Sequence, residues 1–110
     1  MENITFKTEG GHEVVIKSFI TGYDSRAIEI AYAEGIENGP DGKPTAVSYI
    51  KQYNKSKDRA IEIVVVSVDG KTEDILKEVL SLPTTETKEI IVKINEVTEA
   101  KKKEPSTPKT

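Results

Sequence analysis

His12 is the single histidine of the chain and lies beside a glycine pair, so it is the first residue to test for chemistry. An imidazole serves as a general base only with a nucleophile in reach and an acid to orient it. No such constellation is visible around it in sequence, which makes it a turn residue in this reading. Ser18, Ser25, Ser48, Ser56, Ser67, Ser81 and Ser106 lack the glycine-flanked context of a nucleophile elbow. Asp24, Glu29, Glu34, Glu37 and Asp41 cluster in sequence, but Glu37-Asn38-Gly39-Pro40-Asp41-Gly42 breaks the regular oxygen spacing of a calcium loop with its proline. Gly42-Lys43 lacks the spaced glycine and following hydroxyl of a phosphate-cradling loop. With no cysteine, thiolate zinc sites and cysteine nucleophiles are excluded, and a reducing compartment is favoured. The expectation is a protein with no catalytic, metal or cofactor residues.

The elements that would position any function follow from patterning in a chain of single-domain length. Apolar residues make up 35% and charged residues 32%, which suits a thin core beneath a charged surface, or a fold completed by association. The net charge of −3 divides unevenly. Residues 100–110 hold four lysines and one glutamate, +3, leaving −6 on residues 1–99. An acidic body with six aromatic residues argues against a nucleic-acid partner. Ile63-Val64-Val65-Val66 falls far short of the roughly 20 apolar residues of a membrane span, and Met1-Glu2-Asn3-Ile4 does not open a signal peptide.

The fold class expected is α+β, an N-terminal hairpin followed by a mainly helical bundle of about four helices. Residues 1–99 form one small domain. Residues 3–19 read as a hairpin turning at Glu9-Gly10-Gly11-His12, and a three-residue loop, Gly10 to His12, would set Phe6 opposite Ile16 and Thr8 opposite Val14. Thr21-Gly22-Tyr23-Asp24 resembles a capping box and opens a helix over about 23–34, stopped at Gly35. Turn dipeptides fill 35–43, and a second helix runs over about 45–66. Residues 61–68 are β-branched enough to be a buried strand instead, and periodicity leaves both readings open. Asp69-Gly70 turns the chain, Thr72 caps a helix over about 72–82, and a last helix spans about 85–98 beyond Pro83. Residues 100–110, rich in lysine and proline, read as a disordered tail. The apolar stripes of the last two helices, Leu76, Val79 and Leu80 with Ile90, Ile91, Ile94 and Val97, are core or a protein-interaction face.

Three stretches resemble the small tail assembly chaperones of long-tailed bacteriophages. Val14-Val15-Ile16-Lys17-Ser18-Phe19-Ile20-Thr21-Gly22 looks like that family's opening strand and helix cap. Val65-Val66-Ser67-Val68-Asp69-Gly70 with Ile75-Leu76-Lys77-Glu78-Val79-Leu80 looks like its middle turn and helix. Leu82-Pro83 followed by Ile90-Ile91 and Ile94-Asn95-Glu96-Val97-Thr98 looks like its closing helix. The resemblance implies a non-enzymatic protein of the host bacterial cytoplasm that binds the tape-measure protein and keeps it soluble during tail assembly. Tail-tube subunits and a second copy of the chain are further partners it suggests, with neither nucleic acid nor membrane. A structural subunit retained in the virion is the alternative.

Overall fold

The structure is a computed structural model that describes residues 3–99; the tail expected over 100–110 lies outside them. Strands β1 (Asn3–Lys7) and β2 (Glu13–Lys17) form the expected hairpin, and β3 (Val65–Val68) adds a third antiparallel strand beside β2, in the order β1-β2-β3. Helices α1 (Gly22–Glu34), α2 (Ala46–Val64), α3 (Ile75–Leu80) and α4 (Thr84–Thr98) complete an α+β fold.

The hairpin loop has three residues, but they are Glu9, Gly10 and Gly11, closed by Thr8 and His12 through a 2.9 Å bond from Thr8 N–H to the His12 carbonyl. Gly11, at φ +90°, takes the left-handed position that ends such a loop, a role for which His12 is poorly suited. Starting the loop one residue earlier shifts the pairing by two. Phe6 therefore faces Val14 and Ile4 faces Ile16, correcting the expected Phe6–Ile16 and Thr8–Val14 pairs. A shift of two preserves the face of every side chain, so Val14 and Ile16 still point into the core.

The ambiguous stretch 61–68 is both helix and strand. α2 ends at Val64, two residues short of the expected Val66, and the chain passes directly into β3. Ile61 and Val64 seal the inner face of the helix, whereas Val65 and Val68 enter the same core from the strand. Asp69 (φ 51°) and Gly70 (φ 84°) then make a tight two-residue turn with positive φ at both positions. That turn leads to a shorter third helix than expected. α3 starts after Asp74, which adopts a left-handed conformation and whose carboxylate accepts no capping hydrogen bond, so Thr72 does not initiate it.

The start of α1 matches its sequence signal: Thr21 accepts from Asp24 N–H and Asp24 accepts from Thr21 N–H, 3.2 Å each. The core gathers Val14 and Ile16 from β2, Ala60, Ile61 and Val64 from α2, Val65 and Val68 from β3, Val79 from α3, and Ile90, Ile94 and Val97 from α4. All of these core residues of α2 come from its last turns. Its first turns pair with α1 as a helical hairpin, hereafter the arm. Gly35, at the end of α1, allows that pairing: a Cβ there would lie 2.6 Å from both N and Cα of Gln52. No helix among the described residues is long and apolar enough to cross a membrane.

Candidate protein-binding surface

The seven residues singled out on α3 and α4 do not share one exposed face. Val79, Ile90, Ile94 and Val97 are core residues, and Leu76 packs against that core from its edge. Ile91 is half-buried, and Leu80 alone among the seven is exposed, at 52%. The stripe on α4 is apolar because the sheet and α2 cover it.

Exposed apolar surface is concentrated on the arm. Eight of the twelve large hydrophobic side chains exposed among the described residues lie there: Tyr23, Ile30 and Tyr32 on α1, Ile36 just beyond it, and Val47, Tyr49, Ile50 and Tyr53 on α2. They include all four tyrosines of the chain. Tyrosine presents a large apolar ring with a polar tip and loses little conformational entropy on docking, so it is enriched at protein interfaces. Sequence patterning missed this surface because it weighed aromatics by number. The placement of all four tyrosines within residues 23–53 was the available signal.

On α1, Tyr23, Arg26 and Ile30 follow at spacings of three and four, placing them on one outer stripe. Tyr23 is 85% exposed and Ile30 59%. Ala31 is the buried position of this helix.

His12 belongs to a polar cluster at the other end of the molecule. Its Nδ1 lies 2.7 Å from Asp69 Oδ2, and its Nε2 lies 3.9 Å from Glu86 Oε1. Glu13 N–H donates to Asp69 Oδ1 at 2.8 Å, Glu9 N–H donates to Glu89 Oε1 at 2.9 Å, and the Thr8 hydroxyl donates to the buried Glu86. Gly10 makes room for that carboxylate, which a Cβ would meet. Because the Thr8 hydroxyl hydrogen goes to Glu86 and not to the imidazole, histidine and hydroxyl are not aligned as base and nucleophile. The cluster joins the hairpin loop to the β3–α3 turn and to the first turn of α4. No three histidine or carboxylate side chains among the described residues stand together as metal ligands.

The hydrogen bond to Asp69 raises the His12 pKa above its ordinary 6.5, with the Asp69 and Glu86 charges adding to it against partial desolvation. Asp69 is held below its ordinary 3.8, first by His12 and then by the Glu13 N–H. The raised histidine contributes stability that is complete below its unfolded pKa and lost as pH rises through the folded value. The depressed aspartate contributes above its own unfolded pKa and loses that contribution as pH falls through the folded value. Both contributions are complete together only in a window of about pH 4 to 6.5, and each fades beyond it toward its folded-state pKa. Since His12 is the only histidine, its ring protons give an unambiguous NMR titration. Asp69→Asn should move that pKa down toward 6.5; an unchanged midpoint would show that the pair does not govern it.

Compared with protein-family models, curated proteins and solved structures, the chain has no match.

Proposed function

We propose that this protein is a non-catalytic assembly chaperone of the kind found in long-tailed bacteriophages, acting in the host cytoplasm on the tape-measure protein. The observation that carries the reading is the exposed tyrosine-rich arm, together with the three stretches that resemble that family. A tape-measure chain presents long apolar helices before the tail tube surrounds it. A partner that covers those helices must offer apolar surface of its own without coalescing, and the −6 charge of residues 1–99 supplies mutual repulsion in bulk.

The α1 stripe is the contact assigned to the client. Tyr23, Arg26 and Ile30 include two of the residue types that dominate binding hot spots, and all three are exposed in the isolated chain. Masking of this kind needs many modest contacts, because a chaperone must release its client when assembly proceeds.

Co-expression with the tape-measure protein tests the reading: that partner should become soluble and co-purify. Tyr23→Ala combined with Ile30→Ala should raise the Kd for that partner at least about tenfold, the change that about 1.4 kcal/mol of contact energy implies. If the partner stays insoluble with the wild-type chain and this protein appears in purified virions by mass spectrometry, it is instead a structural subunit.

A further inference from the structure

We infer that the outer edge of β1 pairs with the same edge of a second copy, antiparallel about a two-fold axis at Thr5, joining the two sheets into one. This goes beyond the chaperone reading and does not depend on the client.

Strand β1 ends the sheet, and the bonding of the hairpin fixes which of its groups are free. Thr8 N–H donates to the His12 carbonyl at 2.9 Å, which puts that pair on the bonded positions of the ladder. Bonded and non-bonded pairs alternate along antiparallel strands, and the register runs on without a bulge to Asn3 and Lys17. Ile4 and Phe6 therefore bond to Ile16 and Val14. The N–H and C=O groups of Asn3, Thr5 and Lys7 point away from β2. The far side of β2 agrees with this phase, because Glu13, opposite Lys7, turns its carbonyl to Asp69 N–H at 2.7 Å. Among the described residues no backbone group bonds to the outer edge of β1.

An open edge is a template for another strand unless proline, a bulge or charge blocks it. β1 has neither proline nor bulge, and Lys7 is its one charge. Its sequence also matches itself. With the axis at Thr5, the two Thr5 residues face each other, Ile4 faces Phe6 of the second copy, and Lys7 faces Asn3. The Thr5–Thr5 and Asn3–Lys7 pairs are then the bonded ones, each exchanging two hydrogen bonds, so every outward amide of the strand is satisfied. An axis at Lys7 would oppose two lysines, and one at Asn3 would leave Phe6 and Lys7 unpaired. Axes at Ile4 and Phe6 fail because those residues bond inward. Residues 100–110 suit the edge poorly, since Pro105 and Pro108 have no N–H to donate.

The side chains also fit. Ile4 and Phe6 share a face with their partners Ile16 and Val14, the core face. Ile4 is 40% exposed, and Phe6 borders a shallow cleft with Val92, itself 56% exposed. A two-fold axis normal to the sheet keeps both helical layers on this face, so these side chains cover one another across the seam. At a strand spacing of about 4.8 Å, the two copies of β2 stand about 14 Å apart. α4 packs over β2 through the core shared by Ile90, Ile94, Val14 and Ile16. Two helices need about 8–10 Å, which leaves room for Phe6 and Val92 between them.

With −6 on residues 1–99 of each copy, the pairing is weak, with a Kd on the order of 10–100 µM. Sedimentation velocity on the full chain should show a species of twice the 12.1 kDa chain mass across that range. Over the same concentrations, hydrogen exchange should slow at the Thr5 and Lys7 amides and change less at Phe6, which is already bonded to β2. Thr5→Lys and Thr5→Glu should each weaken association at least about tenfold, because like charges then face across the axis. Both should keep the wild-type circular dichroism, since Thr5 is exposed. An equimolar mixture of the two variants should restore association, and Tyr49→Lys on the arm should leave it unchanged. A chain that stays monomeric throughout this range overturns the inference. So does a dimer whose Thr5 amide exchanges as in the monomer, or a mixture that associates no better than either variant alone.

Discussion

Ile94→Ala should destabilise the fold by about 2–5 kcal/mol, the cost of emptying a well-packed aliphatic site in a core that relaxes only partly around the cavity. Ile94 is 1% exposed and sits among Ile90, Val97 and the inner face of α2. Two residues earlier on the same helix, Val92 is 56% exposed, and Val92→Ala should change stability by no more than about 0.5 kcal/mol. With a urea m value of about 1–3 kcal/mol/M for a domain of this size, the first variant should lower the midpoint by about 1–2 M or more and leave m unchanged. The comparison also separates two readings of the α4 stripe. Were Ile94 an interface side chain awaiting a client, its truncation would spare the free protein and weaken only the complex. Equal midpoints for the two variants would refute its place in the core.

That stripe illustrates what patterning can and cannot decide. The spacing of Ile90, Ile94 and Val97 identifies an apolar face, but not whether the chain's own sheet or another molecule covers it. Strong local signals carried through. Thr21 and Asp24 cap each other at the start of α1, and Pro83 precedes α4 where a helix tolerates it. The strand β3 was one of two open readings, because six of the eight residues from Ile61 to Val68 are β-branched and apolar and suit a buried helix as well as a buried strand. After Val64 the chain changes from helix to strand: Ile61 and Val64 enter the core from the last turn of α2, and Val65 to Val68 enter it while pairing with β2.

The hairpin shows a finer limit. Its apolar face was legible, but its pairing turned on which residue takes positive φ at the loop end. The two glycines leave that choice open until the loop hydrogen bonds are known. The polar cluster was out of reach for a different reason. His12 and Asp69 are 57 positions apart, and Thr8 and Glu86 are 78 apart. Only the meeting of the hairpin loop with the β3–α3 turn and α4 brings them together. The tyrosines were the opposite case, visible in sequence as a cluster but unassigned until the arm supplied a surface.

Gly35→Ala should be the most damaging single methyl group on the arm. A Cβ at Gly35 would approach Gln52 N and Cα to 2.6 Å and the Lys51 carbonyl carbon to 2.7 Å, all backbone atoms that no rotamer change can move. The backbone at Gly35 has φ −83°, so positive-φ strain is not the issue and the cost is overpacking, about 1–3 kcal/mol. The added methyl must push α1 away from α2 where the Ser48 hydroxyl accepts the Glu37 N–H at 2.9 Å and Thr45 N–H donates to the Glu37 carbonyl at 3.0 Å. Those bonds should open with it. Hydrogen exchange should therefore accelerate at Glu37 and Thr45 well before it does at β2 or α4, whose protection comes from the body. Gly22→Ala is the control, because a Cβ there meets nothing within 4 Å and the residue lies in the first turn of α1. Reduced backbone freedom in the unfolded chain should make it neutral or stabilising by up to about 1 kcal/mol. If Gly35→Ala exchanges like wild type, the two arm helices are not held at the separation described here, and the surface built on them loses its frame.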